Sequence, residues 1–197
     1  VIRMDNDTTS KKGSHFEILD KFAKGEANVL VGTQMIAKGH DFADVTLVGI
    51  LDADFSLYFD DYRSSERTYQ LVTQVAGRAG RADKEGKVIL QTFAPTNYVF
   101  RFAKNYDYKG FYAKEINSRQ VTKFPPYSVI VRVLCSGDDD KLAFDTVKNI
   151  YLKIKELPKE NFIYLNAMRS PINKIKNKVR YQILMRLKCE AADEMLK

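Results

Sequence analysis

Three short apolar runs separated by helix-like stretches constrain this chain more than any other feature. They are Asn28-Val29-Leu30-Val31-Gly32, Val45-Thr46-Leu47-Val48-Gly49-Ile50-Leu51 and Lys87-Val88-Ile89-Leu90-Gln91-Thr92. Each is too short for a helix and too continuously apolar for a strand with one wet face. Near-continuous apolar strands alternating with helices predict a parallel sheet covered on both faces. Val1–Met4 predicts a further short strand. Ser14-His15-Phe16-Glu17 has the Ser-x-x-Glu spacing of a capping box, and the helix it predicts places Phe16, Leu19, Phe22 and Ala23 on one face and ends at Gly25. A second helix is predicted from Ser65 to about Ala79.

Beyond Thr92 the pattern changes. Residues 96–120, rich in Tyr, Phe and Lys, predict one or two amphipathic helices. Tyr106, Tyr108, Phe111 and Tyr112 read there as a core-facing set, with base stacking as the other use of such rings. Pro125-Pro126 then interrupts any helix. The remainder predicts a strand (Val129–Cys135), an acidic turn (Asp138-Asp139-Asp140) and a helix (about Lys141–Leu157). A strand (Phe162–Ala167), a basic loop, a strand (Arg180–Leu187) and a starting helix (Ala191–Lys197) follow. That order, β-α-β-β-α, is one strand short of a ferredoxin-like split βαβ domain. The expected division is a larger α/β domain over residues 1–122 and a smaller, incomplete α+β domain over 123–197. The missing strand, the opening in a strand and the lack of an initiator Met give the expectation of a fragment of a longer protein.

Composition limits the function classes. With 45% apolar and 29% charged residues and no low-complexity tract, the chain reads as globular rather than disordered. No apolar run approaches the roughly 18 residues of a membrane span, and residues 1–7 carry no basic-then-apolar signal pattern. Two cysteines, Cys135 and Cys189, and two histidines, His15 and His40, exclude a disulfide framework and a self-contained zinc site. Both cysteines are expected to be small buried apolar residues. The net charge of +7 is uneven: residues 1–98 sum to −2 and residues 99–197 to +9. A nearly neutral half beside a basic half fits an enzyme-like domain next to a polyanion-binding one, or a solvated lysine-rich surface.

Two segments carry chemistry. In Gln74-Val75-Ala76-Gly77-Arg78-Ala79-Gly80-Arg81, a continued helix would set Gln74, Arg78 and Arg81 on one face. Gly77 and Gly80 each cost a helix about 1 kcal/mol against alanine. Glycine admits a large anion to the backbone while guanidinium groups reach its oxygens, so the pair of arginines suits a polyphosphate. A tolerated helix end is the other reading. Gly32-Thr33-Gln34-Met35-Ile36-Ala37-Lys38-Gly39-His40-Asp41-Phe42 begins where a parallel strand ends, the place where open sheets keep their ligands. A third group, Arg169, Lys174, Lys176, Lys178 and Arg180, forms a basic stretch suited to a nucleic-acid backbone, an acidic peptide or plain solvation.

In this order the first two segments resemble motifs VI and V of the superfamily 2 helicases. The closer resemblance is to the replication-restart helicases of the primosome, whose pattern is similar to Gly32–Gly39, Asp41-Phe42, Asp44–Val48, Leu51–Asp54, Asp61–Arg67 and Thr73–Arg81. Arg3-Met4-Asp5, Asp7-Thr8-Thr9, Pro125-Pro126 and Arg180–Leu184 are similar to that family as well, so the resemblance covers nearly the whole chain. His40 stands where an apolar residue is usual, and Ala43 where proline is. No Gly-x-x-x-x-Gly-Lys-Ser/Thr and no Asp-Glu-x-His box occurs in the sequence.

The resemblance implies an α/β fold comprising most of a second RecA-like helicase lobe, followed by a truncated ferredoxin-like domain. It implies an ATP-dependent 3′→5′ DNA helicase of replication restart, inactive as this chain alone. Arg81, Arg78 and Gln74 would be catalytic, with Arg81 as the arginine finger, and Gly39, Asp41 and Gly77 would line the nucleotide. Thr33, Gln34 and Lys38, together with Lys174, Lys178 and Arg180, would contact DNA. ATP and Mg2+ would be bound mainly by a first lobe outside this chain, and zinc by cysteines also outside it; no metal ligand is assigned within it. Implied partners are single-stranded and forked DNA, primosome proteins and single-stranded DNA-binding protein, in the bacterial cytoplasm at the nucleoid and with no membrane. The rival readings are a non-catalytic nucleic-acid-binding module, which explains the charge but not the paired motifs, and another superfamily 2 translocase.

Overall fold

The computed structural model describes residues 1–5, 7–9, 13–33, 44–80 and 85–195. It divides into two compact units, Val1–Ala113 and Lys114–Lys197. The division falls inside a helix, upstream of the 122/123 boundary expected from the sequence.

The first unit opens with strand β1 (Ile2–Met4), helix α1 (Ser14–Ala23) and strand β2 (Leu30–Gly32). β1 and β2 pair in parallel, with Met4 opposite Gly32. The capping box does not form. Gly13, at φ 95°, takes the N-cap position ahead of Ser14, and its carbonyl accepts from the amides of Phe16 and Glu17. At the other end the expectation holds: Gly25, at φ 76°, donates to Phe22 O and Glu26 donates to Lys21 O, the paired bonds of a Schellman stop. Of the apolar face, Leu19 is buried and Phe16 is exposed.

Next come β3 (Leu47–Ile50), a 3₁₀ turn (Phe55–Tyr58), α2 (Ser64–Ala76) and β4 (Lys87–Leu90), and β3 pairs in parallel with β4. Helices α3 (Tyr98–Lys104) and α4 (Tyr108–Thr122) follow, α3 capped by the Asn97 side chain, which accepts from Val99 N. Ala53, Tyr69, Val72, Val99, Phe100, Ala103 and Phe111 form the core, with the Tyr69 and Phe111 rings stacked 4.3 Å apart. Both βαβ pairings are therefore parallel, as expected. Among the described residues they make two separate two-stranded sheets rather than one. Nor are the strands covered on both faces: Val31, Leu47 and Ile89 stay 51%, 58% and 51% exposed. Each strand spans only three or four residues, and the packing of α1 on β1 and of α2 on β3 covers one side.

The second unit holds the end of α4, then β5 (Val129–Gly137), α5 (Asp140–Ile154), β6 (Phe162–Ile175), β7 (Lys178–Leu187) and α6 (Cys189–Met195). The β-α-β-β-α order is the expected one. β7 lies between β5 and β6 and is antiparallel to both, giving the sheet order β5-β7-β6. Asp139 caps α5 by accepting from Leu142 N at 2.8 Å. Ala143 and Val147 of α5 pack on Tyr181, Ile183, Met185 and Leu187 of β7, the alternate positions that a pleated strand turns to one face. Cys135 is half-buried, but Cys189 is exposed, correcting the expectation that both are buried. Cys189 sits at the first position of α6, where its Sγ lies 3.5 Å from Pro126 O.

Candidate nucleotide and nucleic-acid sites

The β1–β2 register sets Asp5 and Thr33 at neighbouring strand ends. Met4 pairs with Gly32, so Asp5 and Thr33 leave adjacent strands at the same carboxyl end. Asp5 organises its own loop, its Oδ1 accepting from the amides of Thr8 and Asp7 while Thr9 Oγ1 donates to its carbonyl. The Arg3 guanidinium and the Thr8 amide together hold the Asp5 carboxyl below the usual range. Thr33 is exposed at this end. Gln34, Lys38, Gly39, His40 and Asp41 lie outside the described residues.

The second motif departs from its expected geometry. α2 stops at Ala76, so Gln74 is on the helix but Arg78 is not, and these two do not share a helical face. The cause is a tightening of the last turn: Arg78 N donates to Val75 O and Ala79 N to Ala76 O, three residues back instead of four. Gly80 then takes φ 70° and donates to Val45 O at 3.0 Å, tying the turn to the approach of β3. A left-handed backbone there explains one glycine without any ligand. Gly77 sits at an ordinary φ of −67°, where a Cβ would meet Thr73 O at 3.4 Å. Gln74 is exposed and Arg78 half-buried. Arg81 lies outside the described residues.

At the carboxyl ends of β3 and β4 the structure gives Asp54, in the sequence only part of the Leu51–Asp54 pattern, a role not assigned to it there. Asp54 is fully buried, and its carboxylate accepts from Thr92 Oγ1 and from Phe93 N, each at 2.7 Å. Burial pushes this carboxyl up, but the Thr92 hydroxyl and the backbone amides outweigh it and hold the carboxyl below its usual range. Asp54 thus latches the loop after β3 to the loop after β4. Asp52 beside it carries φ 48°, uncommon for a residue other than glycine. Its signal in the sequence was the Leu-Asp-Ala-Asp run directly after an apolar strand. Nearby, Asp61 accepts from Arg63 N at 2.9 Å and pairs with Arg67 at 2.9 Å.

In the second unit the expected basic loop is instead the tip of a long hairpin. β6 runs on to Ile175 and β7 begins at Lys178, leaving only Lys176 and Asn177 between them. Both have positive φ, 48° and 65°, the signature of a type I′ turn, whose twist matches its strands. A bulge between Arg169 and Lys174 accommodates Pro171. The fold brings Lys174, Lys178 and Arg180 together on this one hairpin, with Lys174 and Lys178 exposed. Val179 and Tyr181 extend the period-two run of Ile183, Met185 and Leu187, the signal that the strand begins before Arg180.

The Tyr-rich segment also divides differently from expectation. Phe111 is core, whereas Tyr106, Tyr108 and Tyr112 are each more than half exposed. Among the described residues no three His, Cys, Asp or Glu side chains group to hold a metal ion, and no helix is long and apolar enough to cross a membrane.

Residues 1–83 match the family model of the helicase conserved C-terminal domain. The chain is similar to replication restart protein PriA of Bacillus subtilis (strain 168), 45% identical over 190 residues, which is 96% of this chain and 24% of that protein. The protein of the same name from Synechocystis sp. is 41% identical over 185 residues, 94% of this chain and 22% of the relative. That of Chlamydia pneumoniae is 40% identical over 186 residues, 94% of this chain and 25% of the relative. The chain therefore spans about a quarter of the length of the curated relatives it matches.

Proposed function

This chain belongs to the replication restart protein PriA family over the stretch of those proteins that it spans, and from that premise we propose that it is the motor's second half in an ATP-dependent 3′→5′ DNA helicase that reloads stalled replication forks. The observation that carries this reading is the match of residues 1–83 to a helicase domain, because both chemical motifs, Gly32–Phe42 and Gln74–Arg81, fall inside it. Two parallel βαβ units support a RecA-like lobe. The antiparallel order β5-β7-β6 supports a ferredoxin-like second domain.

In this reading ATP and Mg2+ are held mainly by residues outside this chain, and hydrolysis passes through a transition state with charge spread over the γ-phosphoryl oxygens. Arg81 is the finger that meets this charge, Arg78 supports it and Gln74 lines the cleft with Gly77, Gly39 and Asp41. Thr33, Gln34 and Lys38 hold the phosphate backbone of single-stranded DNA, and Lys174, Lys178 and Arg180 add further backbone contacts. Backbone contacts of this kind read structure rather than sequence. Primosome proteins and single-stranded DNA-binding protein are the partners, and the bacterial cytoplasm is the compartment. Zinc belongs to the rest of the protein.

The test is Arg81→Ala in the intact protein. An arginine finger is worth roughly 10³–10⁵ in rate, or about 4–7 kcal/mol of barrier. DNA-stimulated ATP hydrolysis should fall by that order while DNA affinity stays within a few-fold. Turnover within a few-fold of wild type would remove the finger from Arg81.

A further inference from the structure

Helix α5 carries two stripes. Ala143, Val147, Ile150 and Ile154 face the sheet and make the core. Phe144, Lys148, Tyr151 and Lys155 recur at i, i+4, i+7 and i+11, so they form a second stripe along one side of the helix. Tyr151 of this stripe is half-buried against the core and Phe144 leans on Tyr181, so each presents only part of its ring to the outside. The stripe alternates aromatic and cation, and it borders an open groove of about 440 Å³ whose opposite wall is Ala167, Met168 and Arg169 of β6, with Tyr181 at its base. That volume lies within the range of small-ligand sites.

The groove is held in shape by its own contacts. Phe144 packs edge-on against Tyr181 at 5.6 Å and is still 48% exposed. The Arg169 guanidinium lies 5.2 Å from the Tyr181 ring and is oriented by Asp140, 2.9 Å away, which also accepts from the Tyr181 hydroxyl at 3.0 Å. Lys155 stands 5.7 Å from the Tyr151 ring. Lys148 has no ion-pair partner among the described residues.

A cleft with aromatic walls and cations at its rim fits a planar ring that carries an anionic group. Two features choose between a nucleic-acid strand and a peptide. Positive charge continues along the wall strand: β6 leads from Arg169 to Lys174, roughly 15 Å at strand rise, and on to Lys176 and Lys178 at the hairpin tip. An added peptide strand, in contrast, needs a regular edge. Beside the groove the β6 edge carries Pro171 and the bulge between Arg169 and Lys174, both of which break a pairing ladder.

We infer that the α5–β6 groove takes one unstacked base of single-stranded nucleic acid between Phe144 and Tyr151, its flanking phosphates on Lys148 and Arg169 and the strand continuing toward Lys174 and Lys178. This rests on the reading that the protein handles DNA, and it adds the place where a base is held. Stacking on aromatic side chains tolerates any base, so the groove contributes affinity without sequence preference.

The experiment is photocrosslinking of the intact protein to an oligothymidylate carrying 5-iododeoxyuridine, with the crosslinked peptide mapped by mass spectrometry. Crosslinks to Phe144, Tyr151 or Tyr181 are expected, and the Phe144→Ala/Tyr151→Ala double variant should lower them at least tenfold. Lys148→Glu, a surface change that leaves the core intact, should lower them as well. Crosslinks that map elsewhere, or that survive both variants, overturn the assignment. So does capture of an acidic, aromatic-ended peptide in the groove with the DNA crosslink unchanged. Failure of the underlying reading looks different: the oligonucleotide would not be retained at low salt at all.

Discussion

Arg186 donates from Nη1 to the carbonyl of Thr122 at 2.9 Å, so a side chain from strand β7 closes the carboxyl end of helix α4. The same guanidinium lies 4.5 Å from the Phe124 ring and 5.7 Å from that of Tyr164. A cation at this end meets both the free carbonyls and the negative pole of the helix. Arg186→Met should therefore lower the stability of the second unit by about 1.5–3 kcal/mol, the range for a charged hydrogen bond. Arg186→Lys should recover only part of it, since an ammonium lacks the planar fork. Denaturant titration of both variants decides this, and equal stability for Arg186→Lys and wild type would show that charge alone suffices.

Asp54 gives the first unit a defined response to acid. Its carboxyl is held below the usual range in the folded protein, so its contribution is complete above the unfolded carboxylate pKa. It is lost as pH falls through the lower, folded value. Thermal midpoints should thus drop on acidification below the ordinary carboxylate range, and Asp54→Asn should flatten that limb. Thr92→Val removes one of the donors and should cost about 1 kcal/mol near neutrality. An acid limb unchanged in Asp54→Asn would assign it to other groups.

The glycines around the end of α2 separate cleanly. A Cβ on Gly86 would lie 2.2 Å from Gly80 N and 2.3 Å from Ala79 C, against backbone that cannot step aside. Gly80 itself needs φ 70°. Gly80→Ala should cost about 1–2 kcal/mol for the left-handed backbone, and Gly86→Ala more. Gly77→Ala, at an ordinary φ with only a 3.4 Å contact, should leave stability near wild type. Loss of ATP turnover in a stable Gly77→Ala protein would mean that the missing Cβ makes room for a ligand.

The hairpin charges predict a salt dependence. Each phosphate contact on single-stranded DNA contributes about −0.7 to the slope of log affinity against log salt. Lys174→Ala/Lys178→Ala/Arg180→Ala should make that slope shallower by about two in filter or anisotropy titrations. An unchanged slope would return these residues to plain solvation.

What the amino-acid sequence determined by itself was whatever depends on near neighbours. The apolar runs around Leu30, Leu47 and Val88 became strands, the helix expected over about Lys141–Leu157 became α5, and Gly25 ended α1, because residue spacing sets pleat and helix periodicity within a few positions. The same locality exposed the helicase motifs as strings of residues.

What needed the tertiary structure is what depends on distant partners. Gly80, beyond the tightened turn that ends α2, is tied down because Val45 accepts its amide. Asp54 is drawn inside because Thr92 and Phe93 wait there. The basic segment is a hairpin because β6 resumes its pairing with β7 at Lys174 and Ile175 beyond the bulge, and Arg186 reaches α4 only once β7 is in place. A hydrogen bond between residues far apart in the chain leaves no periodic trace in either segment, so only the folded molecule reveals it.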